Sequence, residues 1–99
     1  MKQFLLEARM MQYEIFVTGR VQGVSYRYYT QKQAQKLGLV GYVKNQTDGS
    51  VKILAQGETI NLDKLKKWCS IGSPYSSVKD VRCQISAETE PYSSFSISY

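Results

Sequence analysis

The run Gly19-Arg20-Val21-Gln22-Gly23-Val24-Ser25-Tyr26-Arg27 holds the residue types of an anion cradle. Gly19 and Gly23 allow backbone turns that bring main-chain N–H groups to one side. A helix starting near Tyr26 would aim its unpaired amides and the positive end of its dipole at the same point. Arg27 adds a planar, permanently charged fork that matches two phosphate oxygens. The chemistry on offer is therefore the grip of a phosphoryl group by the amides of residues 22–27. The same letters also suit a plain strand-to-helix turn with a solvated arginine, and spacing alone leaves both open.

Composition narrows the partners and the chemistry. Thirteen Lys and Arg against eight Asp and Glu give a net charge of +5, which favours an anionic partner without choosing among nucleic acid, acidic lipid and phosphorylated metabolite. Histidine is absent, so the commonest metal ligand and the commonest neutral-pH base are both missing. Cys69 and Cys83 fit no metal-binding spacing and read as reduced, partly buried thiols. The opening run Phe4-Leu5-Leu6 is broken by Glu7, too short and too charged for a secretory core or a membrane span. These features predict a cytoplasmic chain with no membrane partner. They also predict residues 1–11 as an N-terminal extension before one domain over 12–99, a size that favours a monomer.

The elements that must hold the cradle can be placed from periodicity. Tyr13, Ile15 and Val17 alternate with Glu14, Phe16 and Thr18 as a one-sided strand. After the cradle, Tyr26, Tyr29, Ala34 and Leu37 mark a helical stripe that Gly38 can end, with Tyr29 in the core and Tyr28 on the surface. Val40–Gln46 and Ser50–Gln56 read as strands joined around Asp48-Gly49, with Val51, Ile53 and Ala55 facing inward. Asn61 is the expected N-cap of a second helix, with Ile60 and Leu65 as its hydrophobic staple and Asp63 in its first turn. Leu62, Leu65 and Cys69 line its inner face beside Trp68, and Gly72 and Pro74 end it. Val81, Cys83 and Ile85 make a fourth strand; Phe95, Ile97 and Tyr99 make a fifth.

The resulting fold class is α+β: a ferredoxin-like split βαβ sandwich, βαββαβ plus a C-terminal edge strand. Two helices lie on one face of a mostly antiparallel sheet. In that topology the first and second strands are parallel with the third between them, so their C-terminal ends share one sheet edge. The cradle leaves the first strand there, and Asn45 ends the second. Two strand spacings, roughly 9–10 Å, separate them, a gap an arginine and an amide can bridge around one phosphate.

Gly19-Arg20-Val21-Gln22-Gly23-Val24-x-Tyr26-Arg27, followed by Leu37-Gly38-Leu39-Val40-Gly41-Tyr42-Val43-Lys44-Asn45-x-x-Asp48-Gly49-x-Val51, closely resembles the acylphosphatase family over residues 12–99. The resemblance implies hydrolysis of the carboxyl-phosphate bond of small acyl phosphates to carboxylate and inorganic phosphate, without metal or cofactor. By position, it implies that the amides of Gln22, Gly23, Val24, Ser25, Tyr26 and Arg27 hold the phosphoryl oxygens. Arg27 would be the electrostatic clamp and Asn45 would orient the attacking water. Three positions depart from the family's habit. Tyr26 and Tyr42 stand where phenylalanine and tryptophan are frequent, and Ser25 where glycine is common. Ser25 is either a neutral substitution or a helix cap whose hydroxyl occupies the empty cradle and yields to phosphate.

Glu14 reads as an exposed strand residue and Asp48 as a turn residue, neither as a base. A nucleic-acid-binding module of the same fold needs aromatics on its central strands. Ser50–Gln56 has none, and Tyr13 and Phe16 point to opposite faces, so no nucleic-acid partner is expected. A phosphate- or carbamoyl-phosphate-binding regulatory domain is the remaining alternative.

Overall fold

Tyr13, Ile15 and Val17 are buried on one face of β1 (Met11–Arg20), while Glu14 and Phe16 are half-buried on the other. A computed structural model of the chain describes residues 11–87 and 90–99. Met11, assigned from sequence to an extension, is already strand and pairs with Gly57 and Ala87; residues 1–10 lie outside the described residues. After β1 come α1 (Tyr26–Lys36), β2 (Val40–Asn45), β3 (Val51–Gly57), α2 (Thr59–Ile71), β4 (Ser77–Ala87) and β5 (Phe95–Ser98). The strand order is β4-β1-β3-β2-β5. β3 runs antiparallel to both β1 and β2, and β5 adds parallel to β2. This is the ferredoxin-like sandwich, with β1 and β2 ending at the same edge.

The core lies between the inner sheet face and the two helices. Ile15, Val17, Val43, Val51 and Ile53 from the sheet meet Tyr26, Ala34, Leu62, Leu65 and Cys69 from the helices. Each such aliphatic side chain contributes on the order of 1.5–3 kcal/mol by leaving water.

Two helix assignments are corrected. The buried stripe of α1 is Tyr26, Thr30 and Ala34, not Tyr26, Tyr29 and Ala34. At 3.6 residues per turn, Tyr29 stands about 95° from the centre of a stripe through 26, 30, 34 and 37. Thr30 fits there because its hydroxyl donates to the Tyr26 carbonyl at 2.8 Å and so needs no other partner. Tyr29 is 40% exposed and packs edge-on against Tyr28, which is 50% exposed.

The second helix starts earlier than expected. Glu58, not Asn61, is its N-cap, and its carbonyl accepts from the N–H groups of Asn61 and Leu62. Ile60 is 64% exposed, so no staple forms. Asp63 lies beyond the first turn and accepts a hydrogen bond from the Tyr13 hydroxyl of β1. Leu62, Leu65 and Cys69 are its buried residues, as the sequence pattern expects.

Candidate active site

The cradle begins where β1 loses its regular pairing. The register with β4 shifts between Thr18 and Gly19, and a Cβ at Gly19 would run into the Ser77 carbonyl. Glycine is required there for close approach, and the irregularity bends β1 just before its last two pairs, Gly19 with Val78 and Arg20 with Ser77. Val21 is buried and anchors the loop. Gly23 (φ 76°) and Ser25 (φ 61°) are both left-handed, with Val24 between them outside that region. Such alternation is what turns successive N–H groups toward one concavity. The ladder of α1 then opens with the Tyr29 N–H on the Ser25 carbonyl at 3.2 Å, leaving the amides before it without intrahelical acceptors. No acidic residue stands in the first turn of α1 to neutralise them.

Side chains hold the loop from behind. The Ser73 hydroxyl, in the turn after α2, donates to the Val24 carbonyl at 2.8 Å. The Tyr26 hydroxyl donates to the Cys69 carbonyl at 2.7 Å, and its ring packs on Trp68 at 5.4 Å. The extra hydroxyl of Tyr26 is thereby satisfied within the core. Burial, with the Cys69 contact, pushes the Tyr26 phenol far above its ordinary pKa.

Ser25 is indeed the N-cap of α1, yet its side chain makes no capping hydrogen bond. Of the two readings of Ser25, the capping hydroxyl is not the one seen: with φ at 61° the residue is in a conformation suited to glycine. What distinguishes this serine is backbone conformation.

Gly23, Ser25, Tyr26, Arg27 and Asn45 all line one cavity of about 150 Å³ at this sheet edge. Arg27 reaches over from α1, its guanidinium 4.7 Å above the Tyr99 ring and 3.4 Å from the Ser98 carbonyl. Asn45 is the last residue of β2, paired with Val51. Its Oδ1 is fully enclosed and has no hydrogen-bond partner among the described residues, a costly state for a buried acceptor.

Gln22 and Val24 stand differently. Neither lines the cavity: the Gln22 side chain turns to the β2–β3 hairpin, and the Val24 carbonyl turns to Ser73. Val21, Tyr28, Ile97 and Tyr99 line it although the sequence did not assign them to it. The available signal was topological, since β5 runs parallel to β2 and ends beside Asn45. Asp48 is outside the cavity, where its carboxylate accepts from the Ser50 hydroxyl and N–H. Those two bonds hold its pKa below the usual carboxylate value. Glu14 is half-buried rather than exposed, on the outer face of the sheet. Two larger concavities, along α2 and β4 and over the outer sheet face, touch none of the cradle residues.

The split βαβ sandwich thus brings a loop of unpaired helix-start amides, one arginine and a residue with an unpartnered amide oxygen to one cavity. Comparison with known proteins gives the class its family. The acylphosphatase family model matches residues 13–97. An acylphosphatase of Bacillus licheniformis is 44% identical over 90 residues, covering 91% of this chain and all of the relative. One from Archaeoglobus fulgidus is 46% identical with the same coverage. The crystal structure of acylphosphatase from Bacillus subtilis superposes with a TM-score of 0.88 at 46% identity, over 91% of this chain and 100% of that one. The chain belongs to the acylphosphatase family of hydrolases.

Proposed function

We propose that the chain hydrolyses small acyl phosphates by direct attack of a water on phosphorus, with the phosphoryl group in the 22–27 cradle. Arg27 donates to the phosphoryl oxygens, and Asn45 Oδ1 accepts a hydrogen bond from the attacking water. The observation that carries this reading is that Asn45, whose enclosed Oδ1 has no partner among the described residues, lines the same cavity as Arg27 and the cradle residues Gly23, Ser25 and Tyr26.

The step balances without a general acid or base from the protein. Water forms the new P–O bond, the bond between phosphorus and the acyl oxygen breaks, and the carboxylate leaves with its electron pair. The water's proton passes to a phosphoryl oxygen, giving dihydrogen phosphate. A carboxylate leaving group, with a pKa of about 4–5, departs unprotonated near neutrality. The transition state is loose, so positioning and charge stabilisation supply the catalysis. Positively directed amides and Arg27 offer that stabilisation.

A monomeric enzyme is part of the proposal, as the size of the chain favours. A small phosphorylated metabolite as sole partner fits the size of the cavity. No helix among the described residues is long and apolar enough to cross a membrane, and a cytoplasmic location is part of the proposal. Hydrolysis of benzoyl phosphate in water enriched in heavy oxygen tests the chemistry. The label is expected in inorganic phosphate only; label in benzoate would mean attack at the acyl carbon and would sink the reading.

A further inference from the structure

Gln22 belongs to the cradle by position, but its side chain leaves it. Its Nε2 donates to the Gln46 carbonyl and to the Ser50 carbonyl, each at 2.8 Å. These carbonyls flank the β2–β3 turn. The Gln46 N–H donates to the Ser50 carbonyl at 2.8 Å, and the Gly49 N–H closes the turn on the Gln46 carbonyl at 3.2 Å. Gln46 directly follows Asn45. One planar amide nitrogen therefore spends both its protons on the stretch of chain that carries Asn45.

The need for such a strap follows from the topology. β1 and β2 are not hydrogen-bonded neighbours, since β3 lies between them. The pairing of β2 with β3 ends at Asn45 and Val51, and that of β1 with β3 ends at Val17 and Val51. Past Val17 β1 keeps its pairing with β4 as far as Arg20 but not with β3, so among the described residues no ladder ties the chain entering the cradle directly to the β2–β3 turn. Gln22 bridges the gap, and only a carboxamide suits it: two donors on one nitrogen, no charge, and reach. A glutamate would present oxygen lone pairs to two carbonyls, and a leucine would present no donor.

We infer that Gln22 is a positioning residue for the attacking water, acting through Asn45 and not on the phosphoryl group. This rests on the proposed mechanism. A strap of this kind sets the water-to-phosphorus geometry, so its loss lowers kcat while leaving the grip on phosphate intact.

A double-mutant cycle on benzoyl phosphate hydrolysis tests it, with competitive inhibition by inorganic phosphate as a separate readout of the cradle. Gln22→Leu should lower kcat about tenfold or more, as a misplaced reacting group does. KM and phosphate inhibition should stay within about twofold, an ordinary tolerance for an untouched subsite. In the Asn45→Ala background the same change should cost less than about twofold, because the group it positions is gone. An equal fold-loss in both backgrounds, or a loss of phosphate affinity matching the loss of kcat, would overturn the inference. If Gln22→Leu does not fold, the near-isosteric Gln22→Glu takes its place in the cycle. Its rate should fall as pH rises, since only the protonated carboxyl can donate to a carbonyl; a pH profile parallel to the wild type would also overturn the inference. Full activity in Asn45→Ala alone would strike the mechanism on which the inference rests, and so is distinguishable from failure of the strap.

Discussion

The Ser73 hydroxyl donates to the Val24 carbonyl across 2.8 Å, joining two residues 49 apart in sequence. In a trans peptide the carbonyl and the following N–H point in opposite directions. Holding the Val24 carbonyl toward the core therefore directs the Ser25 N–H to the other side, where the cavity lies. A turn far along the chain fixes the aim of one cradle amide.

Ser73→Ala should accordingly weaken competitive inhibition by inorganic phosphate about three- to tenfold, the equivalent of one ordinary hydrogen bond of ~1 kcal/mol. Urea unfolding should show a loss of similar size, because Ser73 is buried. An unchanged inhibition constant in the folded variant would show that the peptide plane holds its direction without Ser73.

Ser25→Gly should stabilise the protein. A non-glycine residue in the left-handed region costs roughly 1–2 kcal/mol, and the serine recovers none of it through a cap bond. Glycine adds an entropic cost of roughly 0.5–1 kcal/mol, so the net gain is about 0.5–1 kcal/mol. Phosphate inhibition should stay unchanged. A destabilised variant in urea titrations, or one with altered phosphate affinity, would contradict this account of Ser25.

The alkaline limb of stability should belong partly to Tyr26. Burial raises its phenol pKa far above the ordinary value, and burial with the Asp63 hydrogen bond lifts Tyr13 to about 12. An unfolded phenol ionises near pH ~10. Each raised group thus contributes its full stability below that pH and loses it as pH rises toward and through the folded value. Tyr26→Phe should be less stable near neutrality by ~1 kcal/mol for the lost bond to Cys69. Its stability should then decline less steeply than the wild type's above pH ~10. Urea midpoints across that range check the prediction, and parallel declines would refute it.

The two thiols should be separable by reactivity. Burial pushes the Cys69 thiol to about 12, and Cys69 is wholly enclosed, whereas Cys83 is half-buried in β4. Brief treatment with iodoacetamide should modify Cys83 first, and Cys69 only as the domain unfolds. Equal rates by mass spectrometry would contradict the packing described for α2.

The placing of β3 between parallel β1 and β2, and so of Arg27 and Asn45 at one end of the sheet, was legible because one-sided strands advertise their buried face and split βαβ topology then fixes the shared edge. Tyr29 was misplaced because hydrophobicity was weighed above angular position, and Thr30 can hide its hydroxyl against its own helix. The start of α2 was misread because Asn61 resembles a cap, while the helix begins at Thr59 with Glu58 as an N-cap that makes no side-chain capping bond and so leaves no signature in its letter. Ser25 carried a letter that suggests capping, whereas φ is invisible in a letter. The reach of Gln22 to Gln46 and Ser50, and of Ser73 to Val24, spans elements that only the folded chain brings together.

The central claim is that Arg27 and the amides hold the phosphoryl group while Asn45 holds the water. Steady-state hydrolysis of benzoyl phosphate by Arg27→Ala and Asn45→Ala, each measured with phosphate inhibition, tests it most directly. Both variants should lose turnover about a hundredfold or more. Phosphate inhibition should collapse in Arg27→Ala and persist in Asn45→Ala. Substantial turnover in either folded variant, or phosphate binding that survives loss of Arg27, would contradict the division of labour between these two residues.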